Sequence, residues 1–308
     1  MFLRIFPDSM PLALISGVIS GIGASVTLLV IRSWIYYESD QDKSAKEALV
    51  SSRYTIMQIA TLLAIMGSGW IISLFHSSNT VYLVLIILAA IFMGSLAFTN
   101  NIPTGRIQKK KNSMFVPLPS NKVASLLLFL LVLLLGLTNA LIDPILPAIL
   151  RSSGLKVSMV TVWTTIFSIL TVIASLIYQR IHFNMSAGKT FIVNEVIVGV
   201  IMIIASFEFS KGLYISLIAY AIMSIGIAGF FIFKELMEYD MFPKEESFLY
   251  LGITQSGFLV GDAVGSPVGT LVFQHQGTRT LMLIFGISTI VCGISYGLFY
   301  RYMKQKGI

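Results

Sequence analysis

The feature that most constrains this chain is a repeat of long apolar runs. A helix that crosses a bilayer needs about 20 mostly apolar residues, because each residue rises about 1.5 Å through roughly 30 Å of hydrocarbon. Nine segments reach that length: 10–31, 54–75, 80–98, 123–142, 157–178, 190–207, 213–233, 249–273 and 281–299. Charged residues make up only 11% of the 308, against about 25% in ordinary soluble domains. That balance excludes a soluble enzyme, a disordered protein and a nucleic-acid binder. The expected fold is all-α, a polytopic transmembrane bundle of about nine spans.

The first segment follows Arg4 but runs straight into Arg32, Ser33 and Trp34 without a small-residue cleavage pattern, so it reads as a spanning helix of the mature protein. The net charge of +7 does not form one basic surface. Lys and Arg sit between the apolar runs, and cytoplasmic loops carry the excess of these residues. With nine spans and the N-terminus outside, sixteen of the twenty-one fall on the inner side. The expected topology is therefore N-terminus outside and C-terminus cytoplasmic. The longest connection, 99–122, holds Lys109, Lys110, Lys111 and three prolines. It reads as a cytoplasmic linker dividing 1–98, with three spans, from 123–308, with six. Its lysines also suit contact with anionic lipid.

Four glycines, Gly257, Gly261, Gly265 and Gly269, recur every fourth residue of the eighth segment. Small residues at that spacing line one face and let a second helix approach closely. The face reads as static packing or, with Pro267 interrupting the backbone ladder, as a sliding surface. Gly17, Gly21 and Gly23 make a similar face on the first segment.

Two acids lie within apolar segments and a third, Asp143, stands at the end of one. A mid-span aspartate costs about 2.5–3.5 kcal/mol on insertion scales, so Asp262 is either a coupling carboxylate or a hydrogen-bond acceptor inside the bundle. It follows Gly261 by one residue, about 100° around the helix, and points off the glycine face. Glu195, beside Asn194, is either a coupling acid or a side chain that reaches the interface and pairs with Lys189. Asp143 precedes Pro144, with Asn139 one turn earlier and Pro147 beyond. That cluster reads as a broken helix end lining a polar path, or as a capped turn.

Other charges carry less. Glu235, Glu238, Asp240, Glu245 and Glu246 are expected in a solvated loop. The stretch 34–53 is expected to be a polar loop with a short surface helix around Asp42 and Lys46. His76, His182 and His275 are too scattered to bind zinc, and Cys292 is the single cysteine, so no metal set is expected. Gly188, Lys189 and Thr190 lack the upstream glycine of a phosphate-binding loop. No catalytic constellation stands out; neither an enzyme nor a cofactor is expected.

Three stretches resemble the major facilitator superfamily. Gly17, Gly21, Gly23 and Ala24 are similar to the glycine pattern of the family's fourth helix, with Gly17 where an arginine stands in the family. Asn139 to Pro147 is similar to the start of the family's second half. Pro243, Lys244, Glu245 and Glu246, followed by Gly257, Gly261, Gly265, Pro267 and Gly269, are similar to its eleventh helix. The loop from Tyr178, Gln179 and Arg180 to Gly188 and Lys189 occupies the place of a second basic loop motif, without its usual glycine and aspartate. The layout of three plus six helices then resembles a family member lacking its first three helices.

This resemblance implies a secondary active transporter in the cell membrane that moves a small solute or exports an amphipathic compound, with protons as a candidate coupling ion. Asp262, Glu195, Asp143 and Asn139 are its transport candidates. Gly257, Gly261, Gly265, Gly269, Gly17 and Gly21 are its packing residues. The alternative is a truncated or non-transporting membrane protein packed on another transporter subunit. Membrane lipid, a small-molecule substrate, and a homodimer or partner chain are the expected partners; nucleic acid is not.

Overall fold

The computed structural model describes residues 10–38, 43–74, 119–180, 186–208 and 213–306, with scattered positions in 83–94. Most of the expected span 80–98 and most of the linker 99–122 lie outside the described residues. Among the described residues all regular structure is helical. The chain divides into two compact units, one made of 1–38 and 60–112, the other of 39–59 and 113–308.

The first two helices are α1 (Met10–Glu38) and α2 (Lys43–Leu74). The stretch 34–53, expected to be mostly loop, is therefore helical over 34–38 and 43–53, and 39–42 lie outside the described residues. Its polar residues are accommodated locally: Ser51 Oγ donates to the Glu47 carbonyl at 3.0 Å and Thr55 Oγ1 to the Ser51 carbonyl at 2.8 Å, a back-bonding that hides hydroxyls within a helix. Val50 and Tyr54 are buried. On α1, a Cβ at Gly21 or Gly23 would meet nothing within 4 Å, so these glycines line no close approach among the described residues. The surroundings of Gly17 lie outside the described residues.

The larger unit continues with α3 (Lys122–Asn139), a 3₁₀ turn (Asp143–Ile145), α4 (Leu146–Ser152), α5 (Val157–Arg180), α6 (Ala187–Glu208), α7 (Leu213–Met241) and α8 (Ser247–Lys306). Asn121 caps α3 by accepting from the Ala124 amide at 3.0 Å. Among the described residues five stretches are long and apolar enough to cross a membrane, the last running Lys244–Gln305 over 62 residues. Such a length would extend about 93 Å if straight, three membrane thicknesses.

It is not straight, because Gly277 interrupts α8 with φ 80° and ψ 176°, a backbone state that side-chain-bearing residues rarely adopt. Contacts with α7 give the direction of each arm. Phe230 and Phe231 meet Phe258, and Phe242 stacks on Tyr250, so the arm 247–276 runs antiparallel to α7. Glu238 meets Tyr296 and Asp240 meets Tyr300, so the arm 278–306 runs parallel to it. The two arms form a hairpin turning at Gly277, and each is long enough for a crossing of its own.

The four glycines of the first arm all face α3. A Cβ added at Gly257, Gly261, Gly265 or Gly269 would run into the carbonyl oxygens of Phe129, Leu133, Leu137 or Leu141 in turn. Both series advance by four, so the helices run parallel with backbones in contact. Gly136 of α3 returns the contact against the Phe258 carbonyl. Such proximity leaves Cα–H groups facing carbonyls, a weak attraction repeated along the seam. The second arm packs on α6 in the opposite sense, with Gly286 and Gly293 of the arm against Gly199 and Glu195. Tyr220, Met202 and Phe167 fill the space between α5, α6 and α7.

Candidate functional site

The end of the α3 seam carries the first group of polar residues. α3 stops at Asn139 because the chain turns into the Pro144-containing 3₁₀ segment; Ala140 N–H closes onto the Gly136 carbonyl at 3.0 Å and Leu141 N–H onto Thr138 at 3.2 Å. Asp143 is thereby exposed on the surface of the larger unit. Asp262, half-buried on the facing arm of α8, lies close enough for the two charges to interact. Tyr54 is within electrostatic reach of Asp143 as well.

Within the unit lies a cavity of about 30 Å³. Its polar lining comes from three helices: Thr138 and Asn139 at the end of α3, Glu195 of α6, and Thr289 and Cys292 of the second arm of α8. Leu135, Val198, Met223 and Phe285 form apolar walls. Glu195 is 5% exposed, held by the Asn194 amide, which donates to Oε1 at 2.8 Å and also to the Gly226 carbonyl at 3.0 Å. It reaches no interface and forms no ion pair with Lys189 among the described residues. Its Cβ lies where Gly293 leaves room. Thr138 Oγ1 contacts Cys292 Sγ at 3.6 Å. Thr289 Oγ1 is buried without a hydrogen-bond partner among the described residues.

A third group gathers at the C-terminal end of α7. Glu235 and Glu238, expected in a solvated loop, are 4% and 0% exposed, because α7 continues through Met241 and turns both inward. Lys234 Nζ pairs with Glu238 at 2.6 Å, four residues on, and lies 5.3 Å from the Phe258 ring centre. Tyr296 donates to the same carboxylate at 3.2 Å. Arg53 of α2 pairs with Glu235, which also accepts from the Tyr239 hydroxyl at 2.5 Å. Lys46 donates to the Tyr239 carbonyl at 3.1 Å. Asp240 accepts from Tyr300 and, at 2.6 Å, from Lys304. Glu246 accepts from the Ser120 amide at 3.1 Å, and Glu245 is exposed.

The structure thus places Asp143 within electrostatic reach of Asp262, and Asn139 and Glu195 on the lining of one cavity. Sequence reasoning missed Thr138 and Thr289, hydroxyls in apolar runs with no spacing to mark them. It also missed Lys234 with Glu238, whose four-residue spacing on a helix was a usable signal. Long apolar helices packed around sequestered polar groups define a multi-pass membrane protein. The chain belongs to the Major Facilitator Superfamily, whose family model matches residues 128–307, more than half of it. The match runs from within α3 to the end of α8, and the family is one of transporters. No curated protein matches the chain.

Proposed function

We propose that this chain is a secondary active transporter of the cell membrane that moves a small solute or exports an amphipathic compound, coupled to protons through Asp262 and Asp143. The observation that supports this reading is the pair itself: two acids from α8 and the turn after α3, within reach of each other's charge and open at the surface of the larger unit. A nearby second carboxylate favours the protonated form of the first, and intramembrane acids are functional candidates by default.

The glycine seam gives the pair a way to respond. Backbones meet there without interlocking side chains, so the first arm of α8 can shift along α3, with Pro267 leaving one carbonyl of its ladder free. Loading or releasing a proton at either acid changes the charge on that arm. The sixteen inner Lys and Arg of the sequence support an outside N-terminus and a cytoplasmic C-terminus.

The test uses vesicles reconstituted with the purified chain and loaded with pyranine, a pH-reporting dye. Ethidium and a panel of sugars, amino acids and organic acids are added one at a time. At least one compound moves protons faster than in empty vesicles. A folded chain that moves none of them supports the alternative, a subunit packed on another transporter.

A further inference from the structure

A carboxylate buried among apolar helices must be neutralised, by a proton or by a cation, because an isolated charge there is too costly. Around Glu195 the described residues supply no Lys, Arg or His: none lines the cavity, and the one hydrogen-bond donor to the carboxylate is the Asn194 amide. A proton would need only one acceptor. The cavity instead gathers four oxygen-bearing side chains, Glu195, Asn139, Thr138 and Thr289, around a space the size of one small occupant. Thr289, 4% exposed, keeps its hydroxyl oxygen unpartnered there, an arrangement that leaves a buried group unsatisfied unless something in the cavity meets it. Thr138 and Asn139 are also the last residues of α3, so the negative end of that helix dipole lies beside the space.

We infer that the cavity is a binding site for a monovalent cation of sodium's class, held by the Glu195 carboxylate and the neutral oxygens of Thr138, Asn139 and Thr289. One carboxylate balances one positive charge. A hydroxyl and an amide oxygen are hard ligands of the kind alkali and alkaline-earth cations take. The space exceeds the roughly 10–15 Å³ that a single water needs, leaving room for a dehydrated ion with one water. Among the described residues no group of three His, Cys, Asp or Glu could hold a metal ion, which disfavours a divalent occupant. The site lies within the six-helix unit and does not depend on the transport reading.

The experiment is thermal unfolding of the purified protein followed by tryptophan fluorescence, in sodium chloride against choline chloride at equal ionic strength. Sodium should raise the midpoint with the logarithm of its concentration above Kd, by about 3–6 °C at ten times its Kd. Glu195→Gln, near-isosteric and uncharged, should fold and lose that rise. Thr289→Val, which removes one neutral ligand, should keep the rise but weaken apparent sodium affinity by about 2- to 13-fold. Binding of radioactive sodium to wild type and Thr289→Val gives the same comparison without unfolding, should Glu195→Gln not fold. Equal midpoints in the two salts, or an undiminished sodium effect in Glu195→Gln, would overturn the site; a midpoint that follows pH alone would assign the neutralising charge to a proton.

Discussion

Gly261→Ala is the smallest change that tests the α3–α8 seam. The added methyl would stand 2.8 Å from Leu137 N and 2.9 Å from the Leu133 carbonyl carbon, and nearer still to the Leu133 oxygen. Ordinary van der Waals contact begins at about 3.4 Å. All three obstructing atoms are backbone, so no rotamer change relieves the clash and the helices must separate along their length. Overpacking of this kind costs about 1–3 kcal/mol, which for a unit of this size lowers the unfolding midpoint by about 2–12 °C. Gly252 provides the internal control, since it lies on the same helix and a Cβ there would meet nothing within 4 Å. Alanine at that position should gain about 0.5–1 kcal/mol of helix propensity. Cys292 is the single cysteine and is buried in the bundle, so its reaction with a thiol-reactive fluorophore during a temperature ramp reports the opening of the unit. A Gly261→Ala midpoint equal to or above wild type would refute the reasoning, whatever Gly252→Ala does.

Glu238→Ala should destabilise by about 3–5 kcal/mol, because it breaks the buried Lys234–Glu238 pair; replacing both by methionine should recover most of the loss, and thermal unfolding of the single and double variants checks it. Arg53→Met should lower the midpoint more than Lys304→Met, since the Arg53–Glu235 pair is buried and the Lys304–Asp240 pair is half exposed; exposed pairs contribute about 0–1 kcal/mol. For topology, Ser152 and Ser186 are both exposed and lie beyond opposite ends of α5. In a Cys292→Ala background, Ser152→Cys should react with an impermeant thiol reagent on intact cells and Ser186→Cys should not, and the reverse pattern would invert the proposed orientation.

The helices were legible because a bilayer span needs a fixed length of apolar residues, and the six runs from 123 to 299 correspond to α3, α5, α6, α7 and the two arms of α8. The seam was legible in outline, as four glycines at one spacing; that its partner is α3, in parallel, depends on tertiary packing. Polar segments were harder. The residues 43–53 read as loop with at most a short surface helix because hydrophobicity is the only signal for a span, and their helix is held by the burial of Val50 and Tyr54. Glu235 and Glu238 read as solvated because charge runs usually are, although the helix extends past the apolar stretch and buries them as pairs. Glu195 was open to two readings, since a segment apolar on all sides carries no periodicity to say which face meets the bundle. The hydroxyls of Thr138 and Thr289 could not be found at all, because a site built from single residues on separate helices exists only after they pack.

The central claim is that Asp262 carries the coupling proton, and flux against an imposed pH gradient tests it most directly. Vesicles holding wild type or Asp262→Asn at matched protein density are given the compound that moves protons in the wild type, with and without the gradient. Asparagine keeps an acceptor oxygen but cannot carry the proton. Uptake by Asp262→Asn should therefore be the same with and without the gradient, while wild-type uptake rises with it; an equal response to the gradient in both would remove Asp262 from the mechanism.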